Sequence, residues 1–141
     1  MKISARNALA ATVTKVIKGA VNSEVDLELK GGGNVVSVIT NASVDRLGLK
    51  AGATAYAIIK ASSVMIAKDL TTKLSARNVL GGTIVSVQDG AVDSEVTLKL
   101  SGGSSLVAII TKESVHSLGL KAGEAATAII KASSVIVGVD H

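Results

Sequence analysis

The sequence predicts a mainly β, essentially all-β, protein that consists of two similar five-stranded barrels, each with one short helix. Its 141 residues are 48% hydrophobic, yet they include one Tyr, no Phe, no Trp and no Pro, so the core must be aliphatic. Val and Ile are abundant, and β-branched side chains favour the pleated surface of a sheet. Many of the 14 glycines fall between apolar runs, where they indicate turns.

An internal repeat divides the chain into two halves. The segment Ser4-Ala5-Arg6-Asn7 recurs as Ser75-Ala76-Arg77-Asn78, and the same offset of 71 residues continues without a gap to the end of each repeat. More than half of the paired positions are identical. A gapless register means that the two halves share one fold down to their loop lengths. We therefore expect two domains, at residues 1–70 and 71–141.

Alternating apolar and polar residues indicate the strands of the first repeat. The two-residue period is clearest over 21–30, where Val21, Val25, Leu27 and Leu29 alternate with polar and acidic residues. Gly31-Gly32-Gly33-Asn34 follows as a hairpin signal. The predicted strands lie at 8–18, 21–30, 35–40, 53–60 and 64–68, and each recurs in the second repeat.

One short helix is predicted between the third and fourth strands, at residues 41–47. Thr40 or Asn41 can cap its start, and Gly48 is placed to end it. Five strands with a single helix in this place are the order of a small Greek-key barrel of the OB type. Barrels of this size are marginally stable alone, and with no Cys for a disulfide, association between chains is expected.

The polar segment that opens each repeat has a composition suited to an anion. Arg carries five N–H donors and no acceptor, Ser can donate, and a backbone amide beside a residue as small as Ala can approach a ligand closely. The alternative is a polar turn that only starts a strand. Residues further along each repeat favour the anion-binding interpretation over this alternative.

Several segments together resemble the Mop domain of molybdate-binding proteins. They are the Ser-Ala-Arg-Asn start, Thr40 and Ser43 ahead of Leu-Gly-Leu-Lys-Ala-Gly, and Ile59-Lys60-Ala61-Ser62 near the end. The resemblance covers nearly the whole chain twice, as in a molbindin of the tandem, di-Mop type. It implies OB-like barrels, a homotrimer, and binding of molybdate or tungstate between subunits for intracellular molybdenum storage, buffering or homeostasis. It also implies no enzymatic activity and no cofactor beyond the oxyanion.

The resemblance further implies which residues bind. The intersubunit oxyanion residues are Ser4, Ala5, Arg6, Thr40, Ser43, Lys60, Ala61, Ser75, Ala76, Arg77, Thr111, Ser114, Lys131 and Ala132. A second oxyanion site, near a threefold axis, is implied for Gly19, Ala20, Val21, Asn22, Gly90, Ala91 and Val92. Position 93 is Asp where the first repeat has Asn22, and its charge would oppose a dianion there.

The chemistry of molybdate agrees with this set. Molybdate is a tetrahedral dianion that only accepts hydrogen bonds, and the start of a short helix adds free N–H groups. No carboxylate interrupts either motif in the sequence. Hydrogen phosphate carries a proton that a site of donors alone would leave unpaired, at a cost of about 1–3 kcal/mol. Sulfate has no such proton, so only pocket size and donor spacing can exclude it.

Other interpretations stay open at this point. Lys60 and Lys131 can be solvated strand ends, and Thr40 and Ser43 ordinary helix caps. A net charge of +4 on an OB-type barrel permits single-stranded nucleic acid, but such sites stack bases on aromatic side chains and this chain has only Tyr56. A purely structural trimer is the third possibility.

The remaining signals indicate no enzyme and no membrane protein. His116 is expected on the exposed side of the second helix, and neither it nor His141 has a nucleophile or a metal ligand nearby in sequence. No site for a bare metal cation is expected. The sequence contains no apolar run long enough to span a membrane and no leader segment, so we expect a soluble, cytoplasmic protein.

Overall fold

The computed structural model describes residues 1–140, and His141 lies outside the described residues. The first repeat contains β1 (Asn7–Lys18), β2 (Asn22–Leu29), β3 (Asn34–Thr40), α1 (Asn41–Leu47), β4 (Thr54–Ile59) and β5 (Met65–Ala67). The second contains β6 (Asn78–Asp89), β7 (Asp93–Leu100), β8 (Ser105–Thr111), α2 (Lys112–Leu118), β9 (Ala125–Ile130) and β10 (Ile136–Gly138). The predicted mainly β class, with OB-like five-stranded units and one short helix in each repeat, is confirmed.

Both helices begin and end as the sequence indicates. The Thr40 side chain accepts a hydrogen bond from the Ser43 backbone N–H, and Gly48 closes α1 in the left-handed conformation with φ 65°. Thr111 caps the start of α2 and Gly119 ends it in the same way. A short hydroxyl satisfies one free amide of the first turn, and only glycine adopts the left-handed conformation at little cost.

The two antiparallel sheets exchange their last strands. One sheet has the order β10-β4-β1-β2-β3, and the other has the order β5-β9-β6-β7-β8. The strand that ends each repeat therefore pairs with the fourth strand of the other repeat, with Ile136 opposite Ile58 and Met65 opposite Ile129. The sequence repeat and the sheet do not share a boundary. The order of strands and helix along each repeat follows the prediction, but each sheet takes its fifth strand from the other repeat.

Aliphatic side chains from both repeats form a continuous core. Val13, Val25 and Leu27 are fully buried in the first repeat, as Val96 and Leu98 are in the second. These residues alternate with polar ones along their strands, as the two-residue period predicted. Val21 was predicted on the apolar face, but it lies in the turn before β2 and is 69% exposed.

Buried carboxamides and glycine hairpins help to join the repeats beyond the exchanged strands. The buried Asn7 carboxamide donates to Val107 O and accepts from Val107 N–H, both at 2.8 Å, and it also donates to Ile59 O at 3.2 Å. Asn78 makes the equivalent pair of bonds to Val36. The glycine hairpins also touch, because a Cβ at Gly31 would lie 2.9 Å from Gly102 O. Within residues 1–140, every helix is too short or too polar to cross a membrane.

Candidate functional site

The sheet topology brings the predicted binding segments together. Asn7 at the start of β1 lies opposite Ile59 at the end of β4, because these strands are antiparallel. Ser4-Ala5-Arg6 immediately precedes Asn7, and Lys60-Ala61 immediately follows Ile59. Segments that are more than fifty residues apart therefore lie at one end of the sheet. Asn78 and Ile130 make the same juxtaposition in the second repeat.

A cavity of about 330 Å³ lies at this end of the first sheet. Its lining includes Ile3, Ser4, Ala5, Arg6, Ile58, Lys60, Ala61, Ser62, Ile109 and Ile136. Ile109 lies on β8 and Ile136 on the exchanged strand β10, so both repeats build the wall. Ser4, Arg6 and Lys60 are exposed, whereas Ala61 is buried at the first position of a short 3₁₀ turn. The cavity thus combines hydroxyl, guanidinium and ammonium donors with an aliphatic floor.

The second repeat forms the corresponding cavity, which is larger at about 800 Å³. It is lined by Val38, Met65, Ile66, Leu70, Thr72, Leu74, Ser75, Ala76, Arg77, Ile129, Lys131, Ala132 and Ser133. Leu74 occupies the place that Ile3 has in the first cavity, whereas Leu70 and Thr72 come from the connector between the repeats and have no counterparts in the first lining. Apart from Thr72, the polar members match those of the first cavity one for one.

Each arginine contacts a glutamate of the other repeat. Arg6 Nη1 and Nη2 donate to the two Glu95 carboxylate oxygens at 2.9 and 2.8 Å, a bidentate pair. Arg77 makes one such bond, from Nη1 to Glu24 Oε1 at 2.7 Å. The hydrogen bonds from the guanidinium groups hold the pKa of both glutamates below the usual range. Sequence reasoning missed these carboxylates, since it assigned them to the solvent faces of their strands.

The helix residues lie apart from the two cavities within this chain. Thr40 Oγ1 accepts from Ser43 N–H at 3.1 Å and donates to Ser43 Oγ at 2.9 Å, and Thr111 and Ser114 do the same. In residues 1–140 they are absent from the linings that contain the arginines. Within the single chain the Ser-Ala-Arg and Lys-Ala segments lie together, but the first residues of the helices do not lie beside them.

The loops predicted as axial sites are exposed turns between the first two strands of each repeat. Gly19 N–H donates to Asn22 O at 2.8 Å, and Gly90 N–H donates to Asp93 O at 2.8 Å. Val21 and Val92 project at the tips, where they are 69% and 74% exposed. Asn22 and Asp93 are exposed as well. The turns are therefore alike in backbone and differ in one charge.

The other polar candidates have structural partners. His116 Nε2 lies 3.4 Å from Asp89 Oδ2 on the surface, and the Tyr56 hydroxyl donates to Asp140 at 3.0 Å. Tyr56 is the only aromatic residue, so a row of base-stacking side chains is absent and the nucleic-acid alternative gains no support. Within the described residues, no cluster of His, Cys, Asp or Glu is suited to a metal ion.

The fold and these paired cavities define a tandem-repeat β protein with two similar donor-lined cavities. A family model described as TOBE domain matches residues 3–66 and again 74–137, so the chain belongs to the TOBE-domain family. Its two tandem copies confirm the resemblance to molbindins of the di-Mop type.

Two named relatives are similar to this chain over nearly its whole length. The chain is 44% identical over 140 residues to the molybdenum-pterin-binding protein MopA of Rhodobacter capsulatus, covering 99% of this chain and 53% of the relative. It is 42% identical over 139 residues to the molybdenum transport protein ModE of Azotobacter vinelandii, covering 99% and 52% respectively. The chain thus spans about half the length of these curated relatives.

A solved structure gives a match over the full length. It is that of the cytoplasmic molybdate-binding protein ModG with molybdate bound, and it superposes with a TM-score of 0.96 at 48% identity. The match covers 99% of this chain and all of the ModG chain. The strand-exchanged tandem fold described above is therefore similar to that of an experimentally determined protein.

Proposed function

We propose that this protein binds molybdate or tungstate at the cavities beside Arg6 and Arg77, and that it serves intracellular molybdenum storage, buffering or homeostasis. The observation that carries the proposal is the convergence of Ser4, Arg6 and Lys60 at one sheet end, repeated by Ser75, Arg77 and Lys131. The molybdate-bound ModG structure, which covers the same length of chain, supports the choice of ligand.

The chemistry of binding follows from these donors. The hydroxyl, guanidinium and ammonium groups can each donate to an oxyanion oxygen, and the aliphatic wall lowers the local dielectric, which strengthens such bonds. Arg6 and Arg77 bind glutamate carboxylates in this structure. An incoming dianion must therefore compete with Glu95 and Glu24 for the guanidinium groups or share them. No covalent step is involved, so the proposed role is binding and not enzymatic catalysis.

The proposal includes assembly into a homotrimer in the cytoplasm, with Thr40, Ser43, Thr111 and Ser114 completing the sites from a neighbouring subunit. Two features support it: the helix starts lie outside the cavities of their own chain, and apolar side chains such as Ile3 and Leu74 are exposed beside those cavities. Burying these side chains between chains would stabilise small barrels that lack disulfides.

The experiment combines calorimetry with light scattering. Anion-free protein is titrated in parallel with molybdate, tungstate, sulfate and phosphate, and its molar mass is measured with and without the ligand. We expect tight binding of molybdate and tungstate, weaker binding of sulfate and phosphate, and the mass of three chains. Equal affinity for all four anions would contradict the proposed selectivity, and a monomer mass would contradict the intersubunit site.

A further inference from the structure

The charges around the two arginines differ between the repeats, since Lys15 on β1 corresponds to Ser86 on β6 and the residue two positions after each glutamate also differs. Asp26 on β2 corresponds to Thr97 on β7, and these residues lie two positions after Glu24 and Glu95, on the same face of their strands. Where the neighbour is Thr97, Glu95 holds Arg6 with both of its oxygens. Where the neighbour is Asp26, Glu24 holds Arg77 with one oxygen. The arginine that has only one bond to its glutamate, Arg77, is thus the one with the additional Asp26 carboxyl group nearby.

The Asp26 carboxyl group is packed among charged side chains. Its Oδ1 atom is buried and has no hydrogen-bond donor within residues 1–140. The charged groups that face it are Glu24 on its own strand, Lys15 opposite it on β1, and Arg77 from the second repeat. On the β3 side its neighbour in register is the apolar Val36. Two adjacent carboxyl groups with one guanidinium favour a state in which they share a proton.

The two protonation states have opposite effects on a nearby anion. Burial, together with the neighbouring Glu24, raises the pKa of Asp26 above its usual range. While Asp26 holds its proton, Arg77 faces one negative charge and keeps donors available. Once Asp26 is ionised, a second negative charge holds the guanidinium and repels a dianion. A rise in pH therefore weakens anion binding beside Arg77, whereas the corresponding residue beside Arg6 is Thr97, which carries no charge.

We propose that Asp26 is a positioning residue that acts through Glu24 and Arg77, so that oxyanion binding beside Arg77 depends on pH while binding beside Arg6 does not. This proposal rests on the proposed function, because it concerns the same cavities. It makes the two nearly identical repeats of one chain respond differently to acidity.

The test exchanges the residues between the repeats. Asp26→Thr gives the first repeat the residue that the second already has, and Thr97→Asp transfers the carboxyl group to the other arginine; Asp26→Asn keeps the shape without the charge. Molybdate and tungstate are titrated over a pH series from neutral downwards, staying above the pH at which the free oxyanion takes up a proton. Lys60→Ala and Lys131→Ala backgrounds, each of which weakens one class of site, separate the two classes.

We expect the affinity beside Arg77 to rise roughly three- to tenfold as the pH falls, which is the size of effect that one unit charge near a dianion gives in water-like surroundings. Asp26→Thr and Asp26→Asn should abolish this dependence and leave the sites beside Arg6 unchanged. Thr97→Asp should confer the dependence on the sites beside Arg6. Gain of pH dependence at the other repeat is a result that a merely structural role would not produce.

Several results would overturn the proposal. If the unaltered protein binds molybdate with the same pH profile in both classes of site, or if Asp26→Thr keeps the original profile, Asp26 does not act on Arg77. A carboxyl ¹³C titration of Asp26 in the anion-free protein gives a second readout, and a pKa within the usual Asp range would also contradict it. Failure of the unaltered protein to bind either oxyanion at any pH would instead overturn the proposed function itself.

Discussion

The two repeats have the same elements and turns, but they differ in the charges placed around them. Lys18 at the end of β1 contacts Asp45 on α1 at 2.6 Å, and at the equivalent positions Asp89 lies 3.4 Å from His116. The contact between strand and helix is kept, although its acidic residue lies on the helix in the first repeat and on the strand in the second. By contrast, Asn7 and Asn78 are identical and equally buried. A solvated pair tolerates exchange, whereas a buried carboxamide must match the backbone groups that it satisfies.

The contacts that hold the repeats together are not the ones that distinguish their cavities. The carboxamides and the glycine hairpins make the pseudosymmetric join between the repeats. The bidentate pair at Arg6, the single bond at Arg77 and the Asp26 carboxyl group are asymmetric. Similar repeats can therefore build one scaffold whose two cavities carry different charges.

The largest expected effect comes from the buried carboxamides. Asn7→Ala leaves the Val107 N–H and C=O without the partners they have now, and we expect a loss of about 3 kcal/mol in the free energy of unfolding. Asn78→Ala should cost somewhat less, because it removes two hydrogen bonds and not three. Denaturant unfolding measures both, with the exposed Asn34→Ala as control. Equal stability of Asn7→Ala and the control would show that these bonds do not join the repeats.

The hairpin contact provides the next test of the join. A Cβ at Gly102 would collide with the Gly32 backbone carbonyl, which cannot move aside as a flexible side chain can. We expect Gly102→Ala to lower the free energy of unfolding by about 2 kcal/mol. Gly81→Ala is the control, since its nearest neighbour is Ser101 Oγ at 3.9 Å and the first repeat already has Ala10 there. Thermal unfolding that ranks the two variants equally would contradict the contact.

Arg6→Lys tests the site beside the first repeat. Lys keeps the charge but replaces a planar fork of donors with one ammonium group, so we expect about a tenfold loss of oxyanion affinity at half of the sites. The sites beside Arg77 should be unaffected, and Arg46→Lys, on the exposed part of α1, should change nothing. Calorimetric titration checks all three. Unchanged affinity at every site would mean that Arg6 contacts only Glu95 and does not bind the oxyanion.

The smallest expected effect concerns the exposed turns. Asp93→Asn removes a negative charge from the second turn, and we expect weak oxyanion binding there to strengthen by about 1 kcal/mol while the tight sites stay the same. Asn22→Asp should do the reverse in the first turn. The measurement is a titration continued into the weak-binding range. Isotherms that do not respond to either substitution would show that these side chains face away from the bound anion.

Much of the fold and part of the site followed from local features of the sequence. Alternation of Val25, Leu27 and Leu29 with polar residues marked a half-buried strand, and Thr40 with Gly48 marked the helix. The cavity residues Arg6 and Lys60 were predicted together, on the resemblance and on the repeated motif. The glutamates were missed because Glu24 and Glu95 occupy ordinary outward positions along their strands, and the approach of the other repeat brings each to an arginine.

The sequence by itself determined the strands, turns, helix caps and donor segments, because each depends on residues that are close together in the chain. The tertiary structure alone decided which sheet receives each last strand. Met65-Ile66-Ala67 and Ile136-Val137-Gly138 have nearly equivalent patterns, and so do the β4 and β9 edges that they pair with, so local preference does not choose between the pairings. The choice depends on the path of the connector and on the join between the repeats. Only in the assembled chain do Arg6 and Arg77 acquire the unequal carboxylate surroundings that distinguish the two cavities.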